Sequence, residues 1–170
     1  MTKSRIFLTL TGYQITWLSC IYGESKFNAP LLGIYVGIIY LLFFFYFNKN
    51  KKRFLKISFS ISLVGYLFDT TMVFHSVYFF DESLVFGTLP IWMTVLWLSF
   101  STLFDEILMI FKRYKLLGVL ISGVSGPLTY YLGVPIGILQ INNMIFFIIF
   151  MVIFWSLLMV YYLEIILRNN

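Results

Sequence analysis

Cysteine and histidine occur once each in this sequence, as Cys20 and His75, and only 11% of its 170 residues are charged. One cysteine excludes an internal disulfide and any CxxC redox or zinc motif. One histidine excludes paired axial histidines for haem and a histidine cluster for a di-iron centre. No paired aspartate-rich motif is present to hold a diphosphate through magnesium. Neither a cofactor nor a metal site is therefore expected. The scarcity of charge also excludes an ordinary soluble domain, which carries about 25% charged and about 45–50% apolar residues. Here 61% are hydrophobic, with phenylalanine alone occurring 20 times. No small-x-small site closely follows the first apolar stretch, so no cleavable leader is expected.

What the chain does have is long apolar runs. A hydrocarbon core about 30 Å thick takes roughly 20 helical residues to cross. Six stretches meet that length: Arg5 to Gly23, Pro30 to Phe47, Ile57 to Phe79, Pro90 to Phe111, Leu116 to Val134, and Asn143 to Leu167. The expected fold is all-α, a polytopic bundle of six transmembrane helices forming a single integral membrane domain. Its short connections predict antiparallel packing of neighbours. Pro30 and Pro90 suit the first positions of helices two and four, where a missing N–H costs nothing.

The net charge is +5, and its placement says more than its sum. Lys3 and Arg5 precede the first helix. Lys49, Lys51, Lys52, Arg53 and Lys56 lie between the second and third. Lys112, Arg113 and Lys115 lie between the fourth and fifth, and Arg168 follows the sixth. With six spans, every basic residue except Lys26 falls on one side. The positive-inside rule then puts both termini in the cytoplasm. The basic loop is expected against anionic headgroups, and no nucleic-acid partner is expected.

Asp69 stands near the middle of the third run. A charged acid at that depth costs about 2.5–3.5 kcal/mol and normally faces a protein interior or a wet cavity. Ser58, Ser62, Gly65, Asp69 and Ser76 recur at helical spacing. Such a stripe suits a close helix–helix interface or one wall of a polar cavity, with Asp69 tying helices together or serving a ligand or proton. His75 lies ~9 Å further along the helix and on another face, which makes a direct pair with Asp69 unfavourable. In the fourth run, Asp105 shares a face with Thr94 and Ser101. Glu106 points elsewhere, towards an expected salt bridge with the following Lys/Arg loop. In the first run, Gln14 sits at mid-depth and can join helices or orient a ligand. In the fifth, Gly126-Pro127 is expected to break the helix, either exposing backbone to a cavity or improving packing. In the sixth, Asn142 and Asn143 are expected to cap the start. Trp155 reads as lipid-facing or packing surface, and Tyr161, Tyr162 and Glu164 as an interfacial belt.

Four pieces of the chain, GYQITWLSCIYG, GYLFDTTMVFHS, PIWMTVLWLSFSTLF and SGPLTYYLGVPIG, together resemble a family of small bacterial inner-membrane proteins known only as a domain of unknown function. The resemblance covers nearly the whole chain. It implies a small membrane bundle and assigns no activity. It carries Tyr13, Gln14, Trp17, Asp69, Gly126, Pro127 and Tyr130 over as a polar signature. Where relatives have an amide or histidine after the aromatic run of helix four, this chain has Asp105-Glu106.

Three functions stay open on these residues. The first is binding or transport of a small amphipathic or lipid-like molecule at a site built from Tyr13, Gln14, Trp17, Asp69, Asp105 and Tyr130. One version of it, the substrate-binding subunit of a vitamin importer, lacks the small-residue docking signature expected on helix one. The second is a membrane-embedded enzyme acting on a lipid or isoprenoid, with Asp69 as acid or base. The third is an accessory subunit whose polar residues only join helices to each other or to partner subunits.

Overall fold

The structure, a computed structural model, describes residues 3–81 and 84–166. It is all-α with six helices: α1 Lys3–Ser25, α2 Leu32–Phe47, α3 Lys51–Phe74, α4 Ile91–Glu106, α5 Lys115–Tyr131 and α6 Met144–Tyr161. A 3-10 turn, Leu108–Lys112, follows α4, and a π-helical turn, Tyr162–Ile166, follows α6. Arg168 and Leu167, the expected end of the sixth run, lie outside the described residues.

The helix ends differ from the sequence expectation for local reasons. Asn50 accepts a hydrogen bond from the backbone N–H of Arg53 at 3.1 Å, so α3 starts at Lys51 rather than Ile57. It stops at Phe74 because Ser76 takes a left-handed backbone, φ 54°. The apolar residues beyond it turn into strand β1, Tyr78–Phe80. β1 pairs antiparallel with β4, Leu139–Ile141, with Tyr78 opposite Ile141. A second small ladder joins β2, Val85–Phe86, to β3, Leu89–Pro90. Strands this short inside apolar runs carry no period to set them apart from helix. Pro90 immediately precedes α4, whereas α2 begins only at Leu32, two residues after Pro30. Asn143 caps α6 as expected, accepting from the N–H of Phe146 at 3.1 Å.

Among the described residues, two helical stretches, Lys51–Phe74 and Met144–Glu164, are long and apolar enough to cross a membrane. α2, α4 and α5 have 16, 16 and 17 residues, and at 1.5 Å per residue they fall somewhat short of a 30 Å core.

The helices alternate in direction. Arg5 at the start of α1 pairs with Glu106 at the end of α4, and Arg53 at the start of α3 reaches Asp105 beside it. Asn48, just past α2, also binds Asp105, and Lys115 at the start of α5 pairs with Glu164 beyond α6. The starts of α1, α3 and α5 therefore meet the ends of α2, α4 and α6 at one end of the bundle.

α4 is the hub, packed against α1, α2 and α3, while α5 packs against α6. The two groups join through ring stacking: Trp97 of α4 on Trp155 of α6 at 5.6 Å between centroids, and Phe68 of α3 on Phe154 at 3.7 Å. The interior holds small polar groups, among them Thr16, Ser58, Ser99, Ser101 and Thr102, none of them exposed. Ser58 meets Ser101 at 2.7 Å, and the hydroxyl of Tyr40 meets that of Thr102 at 2.8 Å. Large apolar side chains such as Phe7, Ile39, Leu42, Leu120, Ile145 and Leu157 point outward. The small polar groups sit among a larger apolar and aromatic core, and bulky apolar groups also cover the outside, where a water-soluble bundle carries polar faces.

Candidate functional site

Asp69 of α3 is fully buried, and donors from three other elements converge on its carboxylate. Tyr78 of β1 donates its hydroxyl to Oδ1 at 2.6 Å. Trp97 of α4 donates its indole N–H to Oδ2 at 2.7 Å. Tyr130 of α5 bridges both oxygens, at 2.8 and 2.9 Å. All three donors are uncharged. Tyr78 reaches the carboxylate because the β1–β4 ladder turns the chain back beneath the end of α3. The carboxylate binds protein groups on every side, so its effect on anything beyond them passes through Trp97 and Tyr130.

Those two side chains face a cavity of about 100 Å³. Tyr13 and Trp17 of α1 form one side, and Ser125, Gly126 and Tyr130 of α5 the other. Trp92, Trp97 and Phe100 of α4 and Trp155 of α6 close the inner wall, and Phe80 and Leu139 from the β1–β4 ladder cover one end. The sequence contains four tryptophans, and all four line this cavity. No lining residue is an Asp, Glu, Lys, Arg or His.

Close backbone approach sets the ring positions. A Cβ at Gly65, one turn before Asp69, would stand 2.5 Å from three atoms of the Trp97 ring. A Cβ at Gly126 would stand 2.1 Å from Trp155. Glycine at each point lets an indole lie flat on a helix backbone.

Of the residues singled out in the sequence, Tyr13, Trp17, Gly126 and Tyr130 line the cavity, and Asp69 lies directly behind it. Gln14 does not join them, because it is exposed on another face of α1. Asp105 does not either, since it belongs to a separate cluster at the end of α4. His75 caps the end of α3 and is exposed, its ring edge-on to Phe74 at 5.4 Å. The expected break at Gly126-Pro127 is absent: α5 runs unbroken from Lys115 to Tyr131 with Pro127 inside it. One proline removes a single ladder bond, and the close contact of Gly126 with Trp155 favours a continuous helix there. Tyr162 leaves the expected interfacial belt and is fully buried, donating to the backbone oxygen of Phe104. Sequence reasoning missed Tyr78 as a partner of Asp69, and Trp92, Trp97 and Trp155 as cavity walls.

The second cluster encloses a cavity of about 240 Å³ between Arg5, Asn48, Arg53, Asp105 and Glu106. Asn48 donates to Asp105 at 2.6 Å, and Arg53 lies 3.4 Å from its other oxygen. Glu106 pairs with Arg5 of α1 rather than with the Lys112–Lys115 loop, because the end of α4 lies against the start of α1. Arg5 keeps a third of its side chain exposed, which weakens that pair. Replacing Asp105 by alanine is expected to cost about 2 kcal/mol, because it strands Asn48 and Arg53. Glu106→Gln should cost less than about 1 kcal/mol. Equal losses in thermal unfolding would contradict the geometry. Among the described residues, no three His, Cys, Asp or Glu side chains come together to hold a metal.

Comparison with protein families matches residues 6–161 to one described as a protein of unknown function, DUF2878. The chain belongs to that family. The match takes in the whole of the aromatic cavity, Asp69 and its three donors, and the Asp105 cluster apart from Arg5. No curated protein and no solved structure matches the chain.

Proposed function

We propose that this DUF2878 protein is a six-span protein of the bacterial inner membrane that binds or carries a small amphipathic or lipid-like molecule in the tryptophan-lined cavity. The supporting observation is the convergence of all four tryptophans on one uncharged space whose wall is held by Asp69. An aromatic, mostly apolar concavity with a few fixed polar groups is the usual form of a small-molecule site. The outward apolar side chains favour lipid around the bundle, including along α2 and α5, which are too short to span by length alone.

Arg5, Arg53 and Lys115 gather at one end of the bundle, and the positive-inside rule assigns that end and both termini to the cytoplasm. Asp69 acts here as a positioning residue. With its oxygens taken by Tyr78, Trp97 and Tyr130, the lipid-modifying enzyme reading has no free base at this position.

Native mass spectrometry of the purified protein tests the reading, alongside a Ser125→Phe variant that narrows the exposed mouth without removing a buried contact. A molecule other than phospholipid is expected on the parent and absent from the variant. If both forms carry bulk lipid alone, the binding reading fails and the accessory-subunit reading replaces it.

A further inference from the structure

Gln14 is the central residue of α1, and its side chain is exposed. Arg5, one end of the pair with Glu106 at the basic end of the bundle, lies nine residues earlier in the same helix. Gln14 therefore stands about 13 Å inside that end, close to the middle of a core about 30 Å thick. An amide at that depth meets neither water nor headgroups, and polar side chains there normally hydrogen-bond a neighbouring helix. Thr9, Thr16 and Ser25 of α1 return their hydroxyls to the carbonyl four residues earlier. Among the described residues, Gln14 makes no hydrogen bond, and neither does Thr11 one turn before it.

The rest of this face selects the partner. Phe7, Thr11, Gln14 and Leu18 follow at steps of four, three and four residues, and Phe7, Ile15 and Leu18 are exposed. That alternation is the seam of two helices crossing at a shallow, left-handed angle. No charge stands in it to select a charged partner. An amide is donor and acceptor at once, so another amide matches it fully. Copies of one membrane protein share one orientation, so a two-fold axis along the membrane normal brings two α1 helices together in parallel. Each Gln14 then meets its own counterpart. One polar residue at such a seam sets the register of a parallel pair. We infer, on the six-span reading proposed above, that this face of α1 is the contact between two copies of the chain, with their Gln14 side chains hydrogen-bonded at its centre.

Disulfide cross-linking by copper phenanthroline, in membranes carrying the protein, tests this. Cys20 is buried, so the parent gives the background. Leu18→Cys should cross-link to twice the mass of the chain, whereas Leu120→Cys, on the outward face of α5, should not. Adding Gln14→Leu to Leu18→Cys keeps an apolar surface of similar size and removes the amide. It should weaken self-association about tenfold, read by diluting the protein into added lipid. Equal cross-linking at Leu18 and Leu120 overturns the inference. So does a cross-link from Leu18→Cys to a chain of another mass, or dilution behaviour unchanged by Gln14→Leu. A Gln14→Cys variant separates this from the reading beneath it, since a water-soluble maleimide should leave that thiol unlabelled. Protection at Gln14 without cross-linking at Leu18 overturns the paired copies and leaves the six spans standing. Labelling overturns both. All three substituted side chains are exposed, which keeps folding out of the outcome.

Discussion

Asp69→Ala is expected to lower stability by about 3–9 kcal/mol, while Asp69→Asn at the same site should cost only about 1 kcal/mol. The difference follows from the partners. Alanine leaves the hydroxyls of Tyr78 and Tyr130 and the indole N–H of Trp97 buried and unpaired, at about 1–3 kcal/mol for each orphaned donor. Asparagine can turn its oxygen towards Trp97, which only donates, and its amide N–H groups towards the two tyrosines, whose hydroxyls can also accept. Every group then keeps a partner, and only the stronger bonds to a carboxylate are lost. Thermal unfolding of the three proteins in one detergent, followed by tryptophan fluorescence, measures this ordering. If alanine and asparagine proved equally harmful, the hydrogen-bonded centre would not be what holds these four elements together.

Gly65→Val should be nearly as damaging, at about 3 kcal/mol. Its first added carbon would stand 2.5 Å from the Trp97 ring, so the indole must shift off α3. Overpacking alone costs about 1–3 kcal/mol, and the shift also strains the N–H bond to Asp69 and the stack on Trp155. The same change in a Trp97→Ala background should cost less than about 1 kcal/mol, because the space is then empty. This non-additivity is the signature of direct contact. Costs that simply add across the double-mutant cycle would place the two residues apart.

The sequence made some of this legible and hid the rest for identifiable reasons. Six apolar runs punctuated by basic clusters led to six helices. Asp69 stood out because an acid inside an apolar run has no neutral explanation. Tyr13, Trp17 and Tyr130 entered through the resemblance to relatives and do line the cavity. Trp97 and Trp155 could not be told from lipid-facing residues, because in runs this apolar the buried and exposed faces have the same composition. Tyr78 was hidden by the unforeseen turn at Ser76, which converts a supposed helix end into a strand. Glu106 was given the wrong partner because Lys112 and Arg113 are its neighbours in sequence, whereas Arg5 is its neighbour in space. The polar groups at helix ends are thus paired by the packing of α4 on α1 and α3, which no local pattern encodes.

The central place of α4 bears on how the chain is made. Only Ile91 and Thr94 of that helix are exposed, so it has almost no face suited to lipid, yet it is synthesised after the three helices it joins. Until it arrives, Ser58, Gly65 and Asp69 on α3 lack Ser101 and Trp97, the α4 partners that cover or bond them. On the six-span reading proposed above, a nascent chain that has released α1 to α3 is therefore an unfinished shell with polar groups turned to the bilayer. Completion waits on the fourth helix and, for Asp69, on Tyr78 and Tyr130 to either side of it in the chain. In a growing polypeptide this orders assembly from the outside inward, and on that reading it makes the interval between the third helix and the fifth the period of greatest exposure to membrane quality control.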